Sequence, residues 1–525
     1  MSIQPILIAG EWRAAKSSGT FHAENPATGE KLPDEFPTSV WSDCDDALNA
    51  AVEAASILRT APPEQIAKYL MRFADRIEAR KTEIVEAAHV ETALPRTPRL
   101  GDVELPRTTN QLRQAAAAAL EGSWALPTID AKLNIRSMLA PVGTVLVFGP
   151  NNFPFAYNGI AGGDFASAIA SGNPVIAKAH PCHPNTSRLL AEEAIGAVRE
   201  TGLPPATVQM IYNLAPEDGL RFVSDKRLGA VGFTGSRAAG IKLKAAADAV
   251  GKPVYLEMSS LNPVVILPGA LAERGAKIVE EFTGSCLMAN GQFCTSPGLA
   301  ILIAGDASEQ FIAGVKAKLE SSTPRTLLSS GVARNLTASV KTLQSAGAEL
   351  VTGGSALAGN KFANTLLRVS GAQFLAAPEK LQTEAFGNAS LIVVASDAAE
   401  LHKILAHLEG NLTGGIYSDT SGGDETLYEK FAPLLRSRVG RLLNDKMPTG
   451  VAVSPAMNHG GPFPATGHPG FTAVGIPASL RRFAALHCYD NVRPARLPAT
   501  LKNTNPNGRM WRLIDGNWSQ GDVSA

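Results

Sequence analysis

Between Pro174 and Tyr212 the chain reads PVIAKAHPCHPNTSRLLAEEAIGAVRETGLPPATVQMIY, and this stretch decides the fold. Pro174 to Ala177 and Thr207 to Tyr212 are short apolar runs of the kind buried in parallel sheets. The segment from about Pro184 to Glu200 is helical and stops at Thr201-Gly202-Leu203-Pro204, where glycine accepts the left-handed conformation and proline prevents continuation. Strand, helix and strand in that order predict a parallel pair. The alternation extends outward, with Thr144 to Phe148, Ala230 to Phe233 and Val254 to Leu256 as further buried strands. The expected fold class is α/β with a doubly wound sheet. Such sheets bind ligands at the carboxyl ends of their strands, so the loops after Phe148, Lys178 and Phe233 should converge on one crevice.

A second alternation starts at Pro263-Val-Val-Ile-Leu and continues through Leu299 to Ala304, Thr365 to Val369 and Leu391 to Ala395, which predicts a second α/β domain. Ahead of the first sheet, strands and turns to about Ser39 give way to a helix that Ser42 can cap, with Ala47, Ala51, Ala54, Ala55 and Leu58 on one face. Ile66, Leu70, Phe73 and Ile77 recur at helical spacing in the next segment, and the run Ala115 to Ala119 suits another helix. Ile135 to Leu139 and the tail after about Ala485 fit neither alternation, which suggests a role in assembly.

A chain of 525 residues suggests about two to four domains. Its 48 basic and 48 acidic residues leave no net charge, which disfavours nucleic acid and acidic membrane surfaces as partners. Cys44, Cys182, Cys286, Cys294 and Cys488 are odd in number and form no CxxC pair, an argument against a disulfide framework and against a zinc site. Neither a signal-peptide pattern nor an apolar run of membrane-spanning length is found, and the expected location is cytoplasmic.

Chemistry gathers in a few motifs. Gly291-Gln292-Phe293-Cys294-Thr295-Ser296-Pro297-Gly298 sets a cysteine among turn-forming residues after a helix, a setting for a nucleophilic thiolate. Cys286 is the rival on the same segment, with a core role as the simpler account. Asn152, in Pro150-Asn151-Asn152-Phe153-Pro154, follows a strand, where a carboxamide can donate to a developing oxyanion or merely shape the turn. Glu257 closes a strand and can act as a general base or stand as a solvated strand end. Phe233-Thr234-Gly235-Ser236-Arg237 opens a helix whose N–H groups can face a phosphate. Glu384 lies in Thr383-Glu384-Ala385-Phe386-Gly387, with no role fixed by its setting.

Taken in order and spacing, Asn152, Lys178, the Phe233 to Gly240 loop, Glu257, Gly291 to Gly298 and Glu384-Ala385-Phe386-Gly387 resemble the aldehyde dehydrogenase superfamily over nearly the whole chain. The resemblance implies two doubly wound domains and an oligomerisation hairpin: residues 1–122 and 142–258 bind cofactor, 259–484 carry catalysis, and 123–141 with 485–525 serve oligomerisation. It implies catalysis by Cys294, Asn152 and Glu257 as nucleophile, oxyanion donor and hydrolytic base. Cofactor contacts fall to Lys178, Ser236, Glu384, Phe386, Gly235, Pro150, His180 and Pro181, and substrate contacts to Phe155, Phe293 and Phe463, with no metal. His180 and His183 also suit a packing role.

Pro181 stands where NAD-preferring members carry a glutamate, so the expected cofactor is NADP, with NAD possible. Two further departures are Met258-Ser259-Ser260-Leu261-Asn262-Pro263 after the base and Asn151 in place of a tryptophan. Lys178-Ala-His-Pro, Glu257-Met-Ser-Ser and Gly460-Gly461-Pro462-Phe463-Pro464-Ala465-Thr466 resemble a branch containing 2-oxoglutarate semialdehyde and fatty aldehyde dehydrogenases. The expected partner is a small aldehyde, foremost 2-oxoglutarate semialdehyde, and the expected assembly a homodimer or homotetramer. A CoA-acylating enzyme and a non-catalytic protein of this fold are the competing readings.

Overall fold

The computed structural model describes residues 3–523. Its first sheet runs in the order Val254–Glu257, Leu228–Thr234, Thr144–Phe148, Val175–Lys178, Val208–Ile211, Ile6–Ile8, Glu11–Arg13. The first five strands are parallel, and the two amino-terminal strands extend the edge antiparallel. The chain winds one way from Thr144–Phe148 and returns on its other side with Leu228–Thr234, so the strand order reverses between these two neighbours. A crevice opens at the carboxyl ends there.

Helix Pro184–Thr201 starts on Pro184 and ends at Gly202, whose φ of 70° is the left-handed value that glycine adopts without penalty. Helix Pro63–Ala79 buries Ile66, Leu70, Phe73 and Ile77, and the alanine run lies inside Leu105–Glu121. Ser42 does not cap its helix. The element is Trp41–Leu58, with Val40 at the cap position and no side-chain cap bond. The helix start is instead anchored to Lys16: Val40 N–H donates to Lys16 O at 3.0 Å, and the Asp43 carboxylate receives Lys16 N–H at 3.0 Å.

The second sheet has the order Glu349–Thr352, Thr365–Ser370, Ala389–Ala395, Leu299–Ile303, Val264–Ile266, Asn411–Tyr417, Val439–Asn444, parallel except at the first strand. A third sheet joins Ala484–Asp490, Ile135–Pro141, Thr128–Asp130, Arg512–Ile514 and Asn517–Ser519. The two segments that fitted neither alternation therefore pair with each other, Ala484 opposite Pro141 through to Asp490 opposite Ile135. Arg512 is fully buried behind them, donating to the carbonyls of Lys502, Asn503 and Gly521. No helix among the described residues is long and apolar enough to cross a membrane.

Candidate active site

A cavity at the switch point of the first sheet is lined by Pro150, Asn152, His180, Gly235, Ser236, Glu257, Cys294, Glu384 and Phe386. These nine sequence candidates come from six separate stretches of chain, and the fold brings them together.

Glu257 ends the edge strand of the first sheet and is 1% exposed. The chain beyond the second sheet returns to stitch onto that strand end, with Met258 N–H donating to Ala465 O at 2.8 Å and Gly467 N–H to Leu256 O at 3.2 Å. This return delivers a histidine that the motifs did not single out. His459 Nε2 lies 3.0 Å from Glu257 Oε1 and 3.4 Å from Cys294 Sγ. Its backbone N–H is held by Thr472 Oγ1 at 2.9 Å, and its ring packs 5.8 Å from that of Tyr157.

The Cys294 loop is fixed by amides. Asn262 Nδ2 donates to the carbonyls of Cys294 at 2.9 Å and Ser296 at 2.8 Å, while its Oδ1 accepts from Ser260 and Thr413. Gln292 Oε1 receives Leu328 N–H at 2.8 Å. Gly291 has φ 71°, and a Cβ there would fall 2.0 Å from Gly387 O, so only glycine lets this loop lie on the Glu384 loop. Asn152 Nδ2 donates to Gln292 O at 2.9 Å, which orients the carboxamide toward the same turn and uses one of its two N–H bonds.

Burial, and next the nearby Glu257 carboxylate, hold the Cys294 thiol well above its ordinary value, so it rests neutral. Burial likewise pushes the Glu384 carboxyl up to about 7, against the Ser259 hydroxyl and the Ser260 N–H. Ser236 caps helix Arg237–Asp248 through a bond from Ala239 N–H at 3.4 Å, placing the helix amino terminus at the cavity wall.

The remaining candidates lie off this cavity wall. Lys178 ends its strand half-buried, and burial pushes its ammonium down to about 8; its Nζ makes no hydrogen bond or ion pair among the described residues. Pro181 is partly exposed ahead of helix Pro184–Thr201. His183 is a packing residue, 1% exposed with Nε2 3.0 Å from Pro150 O. Phe155 is buried in the core, its N–H donated to Glu104 Oε1 at 2.8 Å. Phe293 stands edge-on to Phe153 at 5.2 Å beneath the Arg99 guanidinium. Phe463 is 61% exposed, with the Arg237 guanidinium 5.9 Å from its ring. Cys286 sits in the core of the second sheet, its Sγ 3.2 Å from Ser390 Oγ and its thiol pushed up to about 12 by burial.

The family model for the aldehyde dehydrogenase family matches residues 12–460. The chain belongs to the aldehyde dehydrogenase family. Among similar proteins of this family are alpha-ketoglutaric semialdehyde dehydrogenase 2 of Azospirillum brasilense, 37% identical over 98% of this chain and 99% of its own, and the alpha-ketoglutaric semialdehyde dehydrogenase of Acinetobacter baylyi, 34% identical over 96% and 97%. The fold is also that of 1-pyrroline-5-carboxylate dehydrogenase from Thermus, with a TM-score of 0.80 at 23% identity over 93% of this chain and 92% of the other. The chain is an enzyme of this aldehyde-oxidising family with the aldehyde dehydrogenase fold.

Beyond His459, this aldehyde dehydrogenase holds two arginines near Cys294 that no motif marked. Arg107 and Arg441 are close enough for their charges to act on the Cys294 thiol. Arg107 donates to Tyr157 Oη and Val451 O; Arg441 donates to Pro448 and Gly450 carbonyls and keeps a buried Nε without a partner among the described residues. An apolar group of Phe153, Tyr157, Phe471 and Val474, with Phe293 and Met457 packed against it, adjoins them.

Proposed function

We propose that this enzyme oxidises 2-oxoglutarate semialdehyde to 2-oxoglutarate, using NADP or NAD, through a covalent adduct on Cys294. The observation that carries the reading is the meeting of Cys294 Sγ, His459 Nε2 and Glu257 Oε1 within 4.8 Å of one another, beside the Asn152 carboxamide. The two full-length relatives named for this substrate support it. So do Arg107 and Arg441, cations suited to the carboxylate end of a short keto acid.

The neutral Cys294 thiol needs a proton acceptor, and His459 Nε2 is the imidazole within reach. Sulfur adds to the aldehyde carbon as its proton passes to His459, and the Glu257 carboxylate stabilises the imidazolium. Asn152 and the Cys294 N–H hold the oxyanion. When bound, the nicotinamide cofactor supplies the hydride acceptor. Glu257 then activates the water that hydrolyses the Cys294 thioester, releasing the acid and restoring the thiol. A buried carboxylate this close to sulfur favours water over CoA as the acceptor.

Residues 1–122 and 142–258 would hold the cofactor, with Ser236 and Gly235 at the pyrophosphate, Glu384 and Phe386 at the nicotinamide end, and His180 and Pro150 along the wall. Lys178, a cation with no other partner among the described residues, suits a 2′-phosphate. Residues 259–484 would carry catalysis. The edge strand Ala484–Asp490, with Leu486 70% exposed, offers an edge unpaired among the described residues to a second copy, which supports a homo-oligomer built through residues 123–141 and 485–525.

A panel of 2-oxoglutarate semialdehyde, uncharged short aldehydes and long-chain aldehydes, each with NADP and NAD, tests the reading. Highest kcat/KM for the keto acid is expected; preference for a long-chain aldehyde would replace the substrate, and inactivity throughout would defeat catalysis.

A further inference from the structure

Cysteine spacing argues against a zinc site, but folding gathers donors that spacing does not show. We propose that Cys294, His459 and Glu257 together bind one divalent cation of the zinc class, and that this holds the enzyme in a reversibly inactive state.

The donor set is one thiolate, one imidazole and one carboxylate, a combination that selects zinc over magnesium or calcium. Bond lengths of about 2.3 Å to sulfur and about 2.0–2.2 Å to nitrogen and oxygen place tetrahedral ligands roughly 3.5 Å apart. The observed separations are 3.4 Å from sulfur to nitrogen and 3.0 Å from nitrogen to oxygen, and all three donor atoms lie within 4.8 Å of one another. The sulfur–nitrogen and nitrogen–oxygen separations lie within about 0.5 Å of that tetrahedral spacing. Glu257 Oε2 is buried without a partner among the described residues, so the carboxylate has spare acceptor capacity. The cavity shared by Cys294 and Glu257 leaves room for water as the fourth ligand. One thiolate and one carboxylate also balance the two charges of the ion, which offsets the opposing field of Arg107 and Arg441.

On binding, the Cys294 S–H bond is replaced by a metal–sulfur bond and its proton leaves to solvent; His459 coordinates as neutral imidazole and no electron is transferred. The nucleophile, its proton acceptor and the hydrolytic base are withdrawn together. Chelation of the ion would restore all three.

Anaerobic titration of the metal-free full-length protein with cobalt(II) chloride tests this without any turnover. One cobalt per chain is expected, with a near-ultraviolet sulfur-to-metal charge-transfer band. Cys294→Ala should abolish the band, and His459→Asn and Glu257→Gln should each weaken binding by roughly tenfold or more. Cys488→Ser should leave it unchanged, since Cys488 is exposed on the edge strand. Zinc chloride should displace cobalt, and EDTA should remove both. Thermal melts followed by circular dichroism establish that each variant is folded; if His459→Asn is not, the Glu257→Gln result decides. Absence of a thiolate band at stoichiometric cobalt, or a band that survives Cys294→Ala, would overturn the proposal. Failure of the oxidation panel would leave this readout intact, so the two inferences are separable.

Discussion

His459 Nε2 lies 3.0 Å from Glu257 Oε1 although 202 positions separate the residues in the chain. The contact closes the loop that follows the second sheet onto the edge strand Val254–Glu257 of the first. It also places an imidazole where the buried thiol can lose its proton.

Cys294→Ala should lower aldehyde oxidation by about 10³-fold or more, and His459→Asn by about 10²-fold in kcat with a smaller change in KM. Cys286→Ala should keep wild-type turnover, since its thiol faces Ser390 in the core. Steady-state kinetics checks all three. Full activity in His459→Asn would remove the histidine from the proton path.

The raised Cys294 thiol predicts a pH signature in the free enzyme. A thiol held above its ordinary value is mostly protonated at neutral pH, so its thiolate fraction keeps rising beyond the pH at which a free cysteine, of pKa about 8.5, has levelled off. Alkylation of Cys294 by iodoacetamide, followed by peptide mass spectrometry, should still accelerate above pH 9 on the order of tenfold per unit. A small free thiol alkylated in parallel should level off and serves as the reference. Glu257→Gln removes a neighbouring negative charge and should move the Cys294 curve to lower pH.

Lys178, pushed down to about 8, is charged at pH 7 and loses that charge as pH rises through 8. Preference for NADP over NAD, read as the ratio of kcat/KM values, should therefore fall between pH 7 and pH 9. Lys178→Met should raise the KM for NADP by about tenfold and leave that for NAD nearly unchanged. An equal effect on both cofactors would place the lysine away from the 2′-phosphate.

Arg441→Met should raise the KM for 2-oxoglutarate semialdehyde by about tenfold while sparing an uncharged aldehyde of similar length. The side chain's buried, unpartnered Nε motivates the choice. If both aldehydes suffer alike, the arginine supports the loop at Pro448 and Gly450 and does not read the substrate.

Buried parallel strands are continuous apolar runs, which is why Thr144–Phe148, Val175–Lys178 and Val254–Glu257 could be read from sequence within a residue or two. Asn411–Tyr417 was missed because Gly414 and Gly415 interrupt its pattern. Packing explains the first of these glycines: a Cβ on Gly414 would come 2.7 Å from the Val439 side chain on the neighbouring strand. Cys294 stands in a distinctive octapeptide, and Asn152 and Glu257, ambiguous singly, join a set of motifs recognisable by order and spacing. His459 does not, since a lone histidine in a long loop has no period. Its signal lay in its neighbours, because a Cβ on Gly460 would meet Phe471 O at 2.1 Å and one on Gly461 would meet Asn411 O at 2.2 Å. Such glycines mark a backbone threaded through a space with no room for side chains, and the residue beside them is positioned accordingly.

The contact between Gly291 and Gly387 makes one mechanical unit of two loops that the sequence sets almost a hundred positions apart, one bearing the thiol and the other Glu384. With no side chain between them to act as a cushion, any movement of the Glu384 loop is felt at the thiol-bearing turn. Mobility in this enzyme is therefore shared across that seam, and a change that loosens one side loosens the other.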